Sequence, residues 1–495
     1  MPNRELQSLL EPWLRDVPYC PLANLVLDSR QVAAGDLFIA LPGHQCDGRH
    51  YIPQAIAQGA VAVLAEAHTI SEEGVVTRCH GIPVIYLQNL PQHLSALAGR
   101  FYADEQTEMQ LIGVTGTNGK TSTTHLIAQW CQQLGYRSSV MGTLGNGPVG
   151  QTMPGENTTG SAVEVQQTLA DWQQQGVALT AMEVSSHGLV QQRVAALPFT
   201  VAVLTNVTRD HLDYHLSIEA YIAAKRRLFT EHAVEQKVIN ADDSIGQQWL
   251  ADWPDAVAVS LQAEHLVAWP GRWLAATAIN YQAQGTAITV DSFWGSGSLN
   301  SRLLGTCNVS NLLLALATLL TLGYPLPSLL ATARQLMPIC GRLEPLTAPG
   351  RPVVVIDYAH TSDALAQTLT ALRQHYTGRV WCVFGCGGDR DQGKRPLMGA
   401  VAEQEADQVI LTTDNPRHEN PLDIIQQILE GTLEPSRIQV IVDRSTAVAS
   451  AVMQASKDDV VLIAGKGHET YQQLGSRRVA YSDRQLVAQL LRVTA

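Results

Sequence analysis

From about Leu111 onward the chain alternates short apolar runs with segments whose apolar residues return every three or four positions. The runs Leu111–Val114, Ala178–Val184, Val201–Asn206, Val238–Asn240, Val353–Asp357, Val380–Phe384, Gln408–Thr412 and Val460–Ala464 read as strands. Between them lie helical patterns such as Leu365, Leu369 and Leu372, which share one helix face. This alternation predicts an α/β fold of mainly parallel sheets covered by helices on both sides. The first hundred residues differ. There Leu25–Leu27 and Leu37–Ala40 read as short strands flanking the turn Ala34-Gly35-Asp36. The longest apolar run, Leu312–Leu322, is about half of a bilayer span. It stops at Gly323-Tyr324-Pro325, as a buried helix would.

A chain of 495 residues is too long for one core. A second break falls where a helical stretch ends near Pro338, so three α/β domains are expected, at 1–89, 90–338 and 339–495. With 45% hydrophobic and 16% charged residues the composition is that of a globular, not a disordered, chain. A formal charge of -12 argues against a nucleic-acid scaffold, yet leaves room for a local basic pocket. Met1–Trp13 lacks the apolar segment of a signal peptide, so a cytoplasmic protein is expected. The eight cysteines have no metal-ligand spacing, and Cys382 and Cys386 read as buried thiols.

The strongest chemical signal is the apolar run Leu111–Val114 leading into Gly116-Thr-Asn-Gly-Lys-Thr121 and then a helical pattern. Glycines let backbone N–H groups turn onto phosphate oxygens, and the helix aims its positive end at them. Lys120 would reach the β- and γ-phosphates, and the Thr121 hydroxyl would ligate Mg²⁺. The usual longer loop would need glycine at position 114, which is Val. Two further segments follow strands, where ligands of open α/β sheets collect: Glu183-Val-Ser-Ser-His-Gly188 and Asn206-Val-Thr-Arg-Asp-His-Leu-Asp-Tyr-His215. Glu183 with Thr121 suits an ATP-bound Mg²⁺. His211, between charged neighbours, reads as functional, whereas His187 and His215 read as structural. Asp389-Arg-Asp-Gln-Gly393 fails as a calcium loop, because its fifth position is Gly and position 400 is Ala.

The loop Gly116–Thr121 resembles the shortened phosphate loop of the Mur ligase and folylpolyglutamate synthetase superfamily. The Glu183 and His211 segments, Gly305-Thr-Cys-Asn-Val-Ser-Asn311 and Asp357-Tyr-Ala-His-Thr361 resemble further Mur ligase signatures, in chain order. The resemblance implies a central P-loop-type ATPase domain and a Rossmann-like C-terminal domain that closes onto ATP. It assigns ATP contacts to Gly116, Thr117, Asn118, Gly119, Lys120, Thr121, Ser122, Asn308, Asp357 and His360. It assigns metal contacts to Thr121, Glu183, His211 and a carbamylated Lys225. Without it, Lys225 beside two arginines would read as a solvated helix face.

The segment Leu27–Phe38 with His44-Gln-Cys-Asp-Gly48 resembles the UDP-binding domain of Mur ligases, which folate enzymes lack. This implies Leu27, Ser29, His44, Gln45 and Cys46 at a uridine diphosphate site; an ordinary hairpin is the alternative. Asn157-Thr-Thr-Gly-Ser161 and Gln191-Gln-Arg193 resemble muramoyl-peptide contacts, implicating Asn157, Thr158, Thr159, Ser185, Gln191 and Arg193. Asp414-Asn-Pro-Arg417 is similar to the stretch in ligases that add meso-diaminopimelate, with Arg390, Gly465 and Glu469 completing the amino-acid contacts. Diaminopimelate has a second carboxylate, which a guanidinium can grip bidentately, and Glu469 would hold its distal ammonium. The expected reaction joins meso-diaminopimelate to UDP-N-acetylmuramoyl-L-Ala-D-Glu through an acyl phosphate. Lys120, His211 and Lys225 are its catalytic candidates, and the base is either His211 or the Lys225 carbamate. The rivals are a folylpolyglutamate synthetase, a P-loop NTPase that drives a conformational change, and a nucleotide-sensing binding protein.

Overall fold

Along Leu37–Ala40 successive side chains leave the backbone on opposite sides, and all are buried. Such a strand needs apolar cover on both faces. The computed structural model describes residues 4–43, 46–102, 109–155 and 157–492. In it Leu37 and Ile39 join Leu25, Leu64, Ile85 and the helix Leu90–Tyr102 in one core. Phe38 and Ala40 join Val26, Val63 and Val84 in another, on the opposite face. The strands lie in the order Leu25–Val26, Leu37–Ala40, Ala62–Glu66, Ile82–Leu87, Val76–Cys79. Leu25 pairs with Leu37 in parallel, so the hairpin alternative fails. Asp28 instead caps the 3-10 turn Ser29–Gln31, which starts a crossover.

The chain folds into two units, Met1–Ile239 with Asp243–Val257, and Asn240–Asp242 with Ala258–Ala495. The first also holds strands in the order Val234–Asn240, Phe199–Leu204, Gln110–Thr115, Leu179–Glu183, Ser138–Gly142, Gly145–Pro148. These are parallel except for the closing hairpin. Val114 sits opposite both Val203 and Glu183, so three neighbouring strands end level with one another. The expected strand Val201–Asn206 ends at Leu204; Thr205 N still donates to Thr115 O, while Thr205 Oγ1 and the Asn206 side chain bond Asn118.

The second unit begins with an antiparallel ribbon, Trp273–Gln282, Gly285–Ser292 and Gly297–Ser301, which the sequence pattern did not reveal. The apolar helix Thr306–Thr321 is buried along most of its length. A further sheet has the order Glu344–Leu346, Val353–Asp357, Val460–Ala464, Val380–Phe384, Gln408–Leu411, Gln439–Val440, parallel except at its first strand. Helix Ser362–His375 buries Leu365, Leu369 and Leu372 on it, as the periodicity predicts. Among the described residues no helix is long and apolar enough to cross a membrane.

Candidate active site

Gly116 ends its strand with φ +147 and Gly119 opens the helix Lys120–Gln133 with φ +86, conformations that L side chains rarely adopt. A Cβ on Gly116 would also collide with Thr205 Oγ1. The loop is tied to the neighbouring strand end. Thr117 N donates to Asn206 O (2.8 Å), Asn118 N donates to Asn206 Oδ1 (3.0 Å), and Thr205 Oγ1 donates to Asn118 O (2.6 Å). Lys120 curls over the loop, its Nζ donating to Gly116 O (2.9 Å) and Thr117 O (2.8 Å). Thr121 and Ser122 occupy the first helical turn, buried.

Lys225 donates to the same Gly116 O at 2.7 Å. The solvated-face reading of this lysine is wrong. On helix Ile218–Thr230 it shares the inward face with Tyr221, Ala224 and Leu228, and only 1% of it is exposed. Burial, then the Lys120 ammonium, push its pKa well below the lysine range, while Asp210 pulls the other way.

Glu183, buried at its strand end, accepts Thr143 N on Oε1 (2.8 Å) and Thr143 Oγ1 on Oε2 (3.2 Å). From it runs a string of the peptide-contact candidates. Thr143 Oγ1 meets Thr158 Oγ1 (3.1 Å), and Thr159 Oγ1 donates to Glu183 O (2.9 Å) and Ser185 Oγ (3.1 Å). Arg193 Nη1 donates to Thr159 O (2.6 Å), while its Nε and Nη2 grip Gln191 Oε1 (2.9 and 2.6 Å). Asn157 is exposed at the start of this segment. His211 stands at φ +53, its N donating to Asp210 Oδ1 (2.9 Å), and its ring is 5.0 Å from that of His187. His215 Nε2 pairs with Ser186 Oγ at 2.9 Å, the structural role expected of it. Burial and the neighbours His211 and His215 push His187 down to about 4.

The described uridine candidates lie in the connections after the first two strands. Ser29 is buried, with Oγ 3.4 Å from Gln54 Oε1, Leu27 is half-buried and Cys46 exposed; His44 and Gln45 fall outside the described residues.

In the second unit Asp357 is buried at its strand end. It accepts Leu343 N on Oδ2 (2.7 Å), and Ala359 N (2.9 Å) and Thr368 Oγ1 (3.2 Å) on Oδ1. Burial pushes its carboxyl up. His360 Nδ1 donates to Tyr358 O (2.9 Å), and Lys394 Nζ donates to His360 O (2.8 Å). Asn308 is buried near the start of its helix, Nδ2 donating to Leu304 O (3.0 Å).

At other strand ends of that sheet, Arg417 adopts φ +50 and is held by its backbone: N donates to Gln473 O (3.1 Å) and O accepts Gly475 N (2.6 Å). Its Nη1 donates to Gly388 O at 2.7 Å. A Cβ on Gly387 would lie 2.9 Å from Arg417 Nη1 and 3.7 Å from Arg390 Cγ, so the Arg417 guanidinium and the Arg390 stem both lie against this glycine. Asn415 Nδ2 donates to Glu469 Oε2 (2.9 Å), Pro416 is buried beside it, and a Cβ on Gly465, at φ +108, would collide with Asp414 Oδ2. The amino-acid candidates thus gather on the 412–420 and 465–469 loops and the loop of Gly387–Arg390.

Three segments match family models: the Mur ligase family catalytic domain over 21–102, the Mur ligase middle domain over 114–319, and the Mur ligase glutamate ligase domain over 341–467. The chain is 34% identical to a solved UDP-N-acetylmuramoyl-L-alanyl-D-glutamate--2,6-diaminopimelate ligase, over 99% of both chains, with TM-score 0.72. The chain belongs to the Mur ligase family. Mur ligases are ATP-dependent enzymes that form amide bonds, and this one shares that chemistry. Two more distant likenesses concern the fold alone. A UDP-N-acetylmuramoylalanyl-D-glutamyl-2,6-diaminopimelate--D-alanyl-D-alanyl ligase from Acinetobacter baumannii is 17% identical over 99% of both chains, with TM-score 0.67. A Mycobacterium tuberculosis folylpolyglutamate synthase is 18% identical over 76% of this chain and 91% of its own, with TM-score 0.56.

Two residues of this Mur ligase escaped the sequence reading. Arg395, fully buried, donates to both oxygens of Glu419 (2.8 and 2.9 Å), to Gly387 O (3.1 Å) and to Gln427 Oε1 (2.6 Å). It thereby joins the loops that carry Arg390 and Arg417. Lys466, also fully buried, touches Asn415 and Glu469. A signal existed for Lys466: Gly465-Lys466-Gly467 follows an apolar run as Gly119-Lys120 follows a strand and a glycine turn.

Proposed function

We propose that this Mur ligase joins meso-2,6-diaminopimelate to the D-Glu γ-carboxylate of UDP-N-acetylmuramoyl-L-Ala-D-Glu, releasing ADP and phosphate. The observation that carries the specificity is that Arg417 Nη1 and the stem of Arg390 lie against Gly387, on loops next to Asn415, which bonds Glu469. A guanidinium at Gly387, on the loop whose Asn415 bonds the Glu469 carboxylate, suits an amino acid whose far end has both a carboxylate and an ammonium. The likeness to the diaminopimelate ligase supports the same assignment.

The carboxylate is a poor electrophile, so ATP first converts it to an acyl phosphate, which the amine then opens with loss of phosphate. Lys120 lies over the phosphate loop and would offset charge on the transferred group. Asn308, Asp357 and His360 are the nucleotide contacts we assign to the other unit. Thr158, Thr159, Ser185, Gln191 and Arg193 are assigned to the peptide, and Leu27, Ser29 and Cys46 to the uridine diphosphate. Thr121, Glu183, His211 and Lys225 as its carbamate would hold Mg²⁺. The donor set fits. It is rich in oxygen and sparse, and no three His, Cys, Asp or Glu close a cage among the described residues, so waters and phosphate oxygens would complete an ion there. Bound Mg²⁺ supplies charge stabilisation to the phosphoryl group. The low pKa of Lys225 favours the neutral amine that carbamylation consumes. His211 or that carbamate would take the proton from the attacking amine.

The three matched segments support a division into a UDP-precursor domain at 1–89, an ATP domain at 90–338 and an amino-acid domain at 339–495. Helix Leu90–Tyr102 is the joint after the first, sharing a core with strands before it and with helix Ala162–Gln174 after it. A cytoplasmic location fits these substrates. The deciding experiment measures phosphate release with ATP and the UDP-dipeptide, with and without meso-diaminopimelate. Release that is indifferent to the amino acid refutes the proposal in favour of a plain NTPase.

A further inference from the structure

Lys466 has no solvent exposure, yet it is placed against a carboxylate and an amide. Its Nζ donates to Glu469 Oε2 at 2.7 Å and to Asn415 Oδ1 at 3.0 Å. Asn415 Oδ1 accepts a second donor, Gln473 N, at 2.9 Å. An amide oxygen held by an ammonium and an N–H cannot exchange places with its nitrogen. Nδ2 must therefore face Glu469, where it donates to Oε2 at 2.9 Å. Among the described residues every side-chain hydrogen bond to Glu469 ends on Oε2, and 16% of the side chain is exposed. The other oxygen, Oε1, is the one left to meet a ligand.

We propose that Lys466 is a positioning residue for the amino-acid substrate, holding Glu469 turned so that Oε1 receives the substrate's distal ammonium. The inference rests on the ligase reading above, in which Glu469 contacts that ammonium. Tyr358 feels the Glu469 charge, and Arg342, Asp414 and Tyr471 lie about Tyr358 in turn, while His468 feels Arg342 and Lys466. Tyr358 stays neutral, raised by burial and then by Glu469 itself. His468 is pushed down to about 4 by burial, Arg342 and Lys466, and is neutral near pH 7. Among the described residues Lys466 is the cation that touches the carboxylate. Without it the Glu469 carboxylate loses the donor that fixes Oε2 and is free to turn away from the ligand.

Lys466→Met, Glu469→Gln and the double variant of the full-length enzyme test this by phosphate-release kinetics, with thermal melting as the check on folding. Lys466→Met should raise the KM for meso-diaminopimelate about tenfold or more, as an unpaired buried charge would. The KM values for ATP and the UDP-dipeptide should stay within about twofold. The double variant should be no worse than Glu469→Gln. Should Lys466→Met not fold, Lys466→Gln, which keeps a donor and loses the charge, is read in the same way. An unchanged KM for the amino acid, a parallel rise in all three KM values, or a double variant equal to the product of the singles would overturn the proposal. So would a Glu469→Gln enzyme with normal KM for the amino acid. A wild type that ignores meso-diaminopimelate refutes the ligase assignment itself, an outcome separate from any variant's behaviour.

Discussion

Replacing Arg417 by Lys keeps the positive charge and removes the planar fork. In the structure Nη1 already donates to Gly388 O, so the Nη2 and Nε edge is what remains for a substrate carboxylate. Truncating one partner of a buried, hydrogen-bonded charge pair costs about 2–5 kcal/mol. Arg417 is half-exposed, so the lower end applies. About 2 kcal/mol, at about 1.4 kcal/mol per decade, is roughly a 30-fold rise in KM for meso-diaminopimelate. Arg417→Ala should do at least as much. KM for ATP should hardly move, because Lys120 and Thr121 belong to the other unit. The backbone adds a control. At φ +50 an L residue is strained by about 1 kcal/mol, and Arg417→Gly relieves that strain. The glycine variant should thus bind the amino acid poorly and yet melt higher than Arg417→Ala. Steady-state phosphate release at saturating ATP and UDP-dipeptide reads the KM, and calorimetric melting reads the stability. L-Lysine, which lacks the second carboxylate, should be a very poor substrate of the wild type. A KM within twofold of wild type in Arg417→Lys and Arg417→Ala, or equal use of L-lysine, would refute the pairing.

Lys225→Ala should lose most activity, and short carboxylic acids added to the assay should restore part of it; a fully active variant would exclude the carbamate. Lys120→Ala should abolish acyl phosphate formation while the UDP-dipeptide still binds, which calorimetry with each ligand alone would reveal, and equal loss of both would point to misfolding. Arg444, fully buried, donates to both oxygens of Asp483 (2.9 and 2.8 Å), so Arg444→Met should destabilise by about 3–5 kcal/mol in denaturant titration, and adding Asp483→Leu should recover much of it. His468 is neutral when folded and titrates at about 4, against 6.5 for a free imidazole, so the unfolded chain binds the extra proton as pH falls between these values. Stability from this group is present above about 6.5 and declines toward 4, and His468→Phe should flatten that part of the pH–melting curve.

What could be read in advance followed from local rules. Strands such as Val353–Asp357 and Val460–Ala464 are apolar throughout because helices cover both faces of their sheet, and their ends mark themselves. The phosphate loop is equally local, since its glycines and lysine are adjacent in sequence. The ribbon Trp273–Ser301 left no such trace, because its strands bury isolated residues such as Ile288 and Val290 among polar ones. Lys225 and Lys466 were opaque for another reason. Their burial depends on partners far away in the chain, Gly116 O for one and Asn415 for the other. Arg395 likewise matters only because folding brings the Gly387 and Glu419 loops together.

Gly116 has a pharmacological corollary. Its carbonyl receives both Lys120 and Lys225, and its missing side chain is what lets Thr205 close against the loop. Any replacement pushes Thr205 away and disturbs the carbonyl that holds two ammonium groups at once. An inhibitor that takes its anchoring hydrogen bonds from this stretch of backbone would leave the enzyme no tolerable point change at that position. Resistance would have to arise at sites the drug touches less.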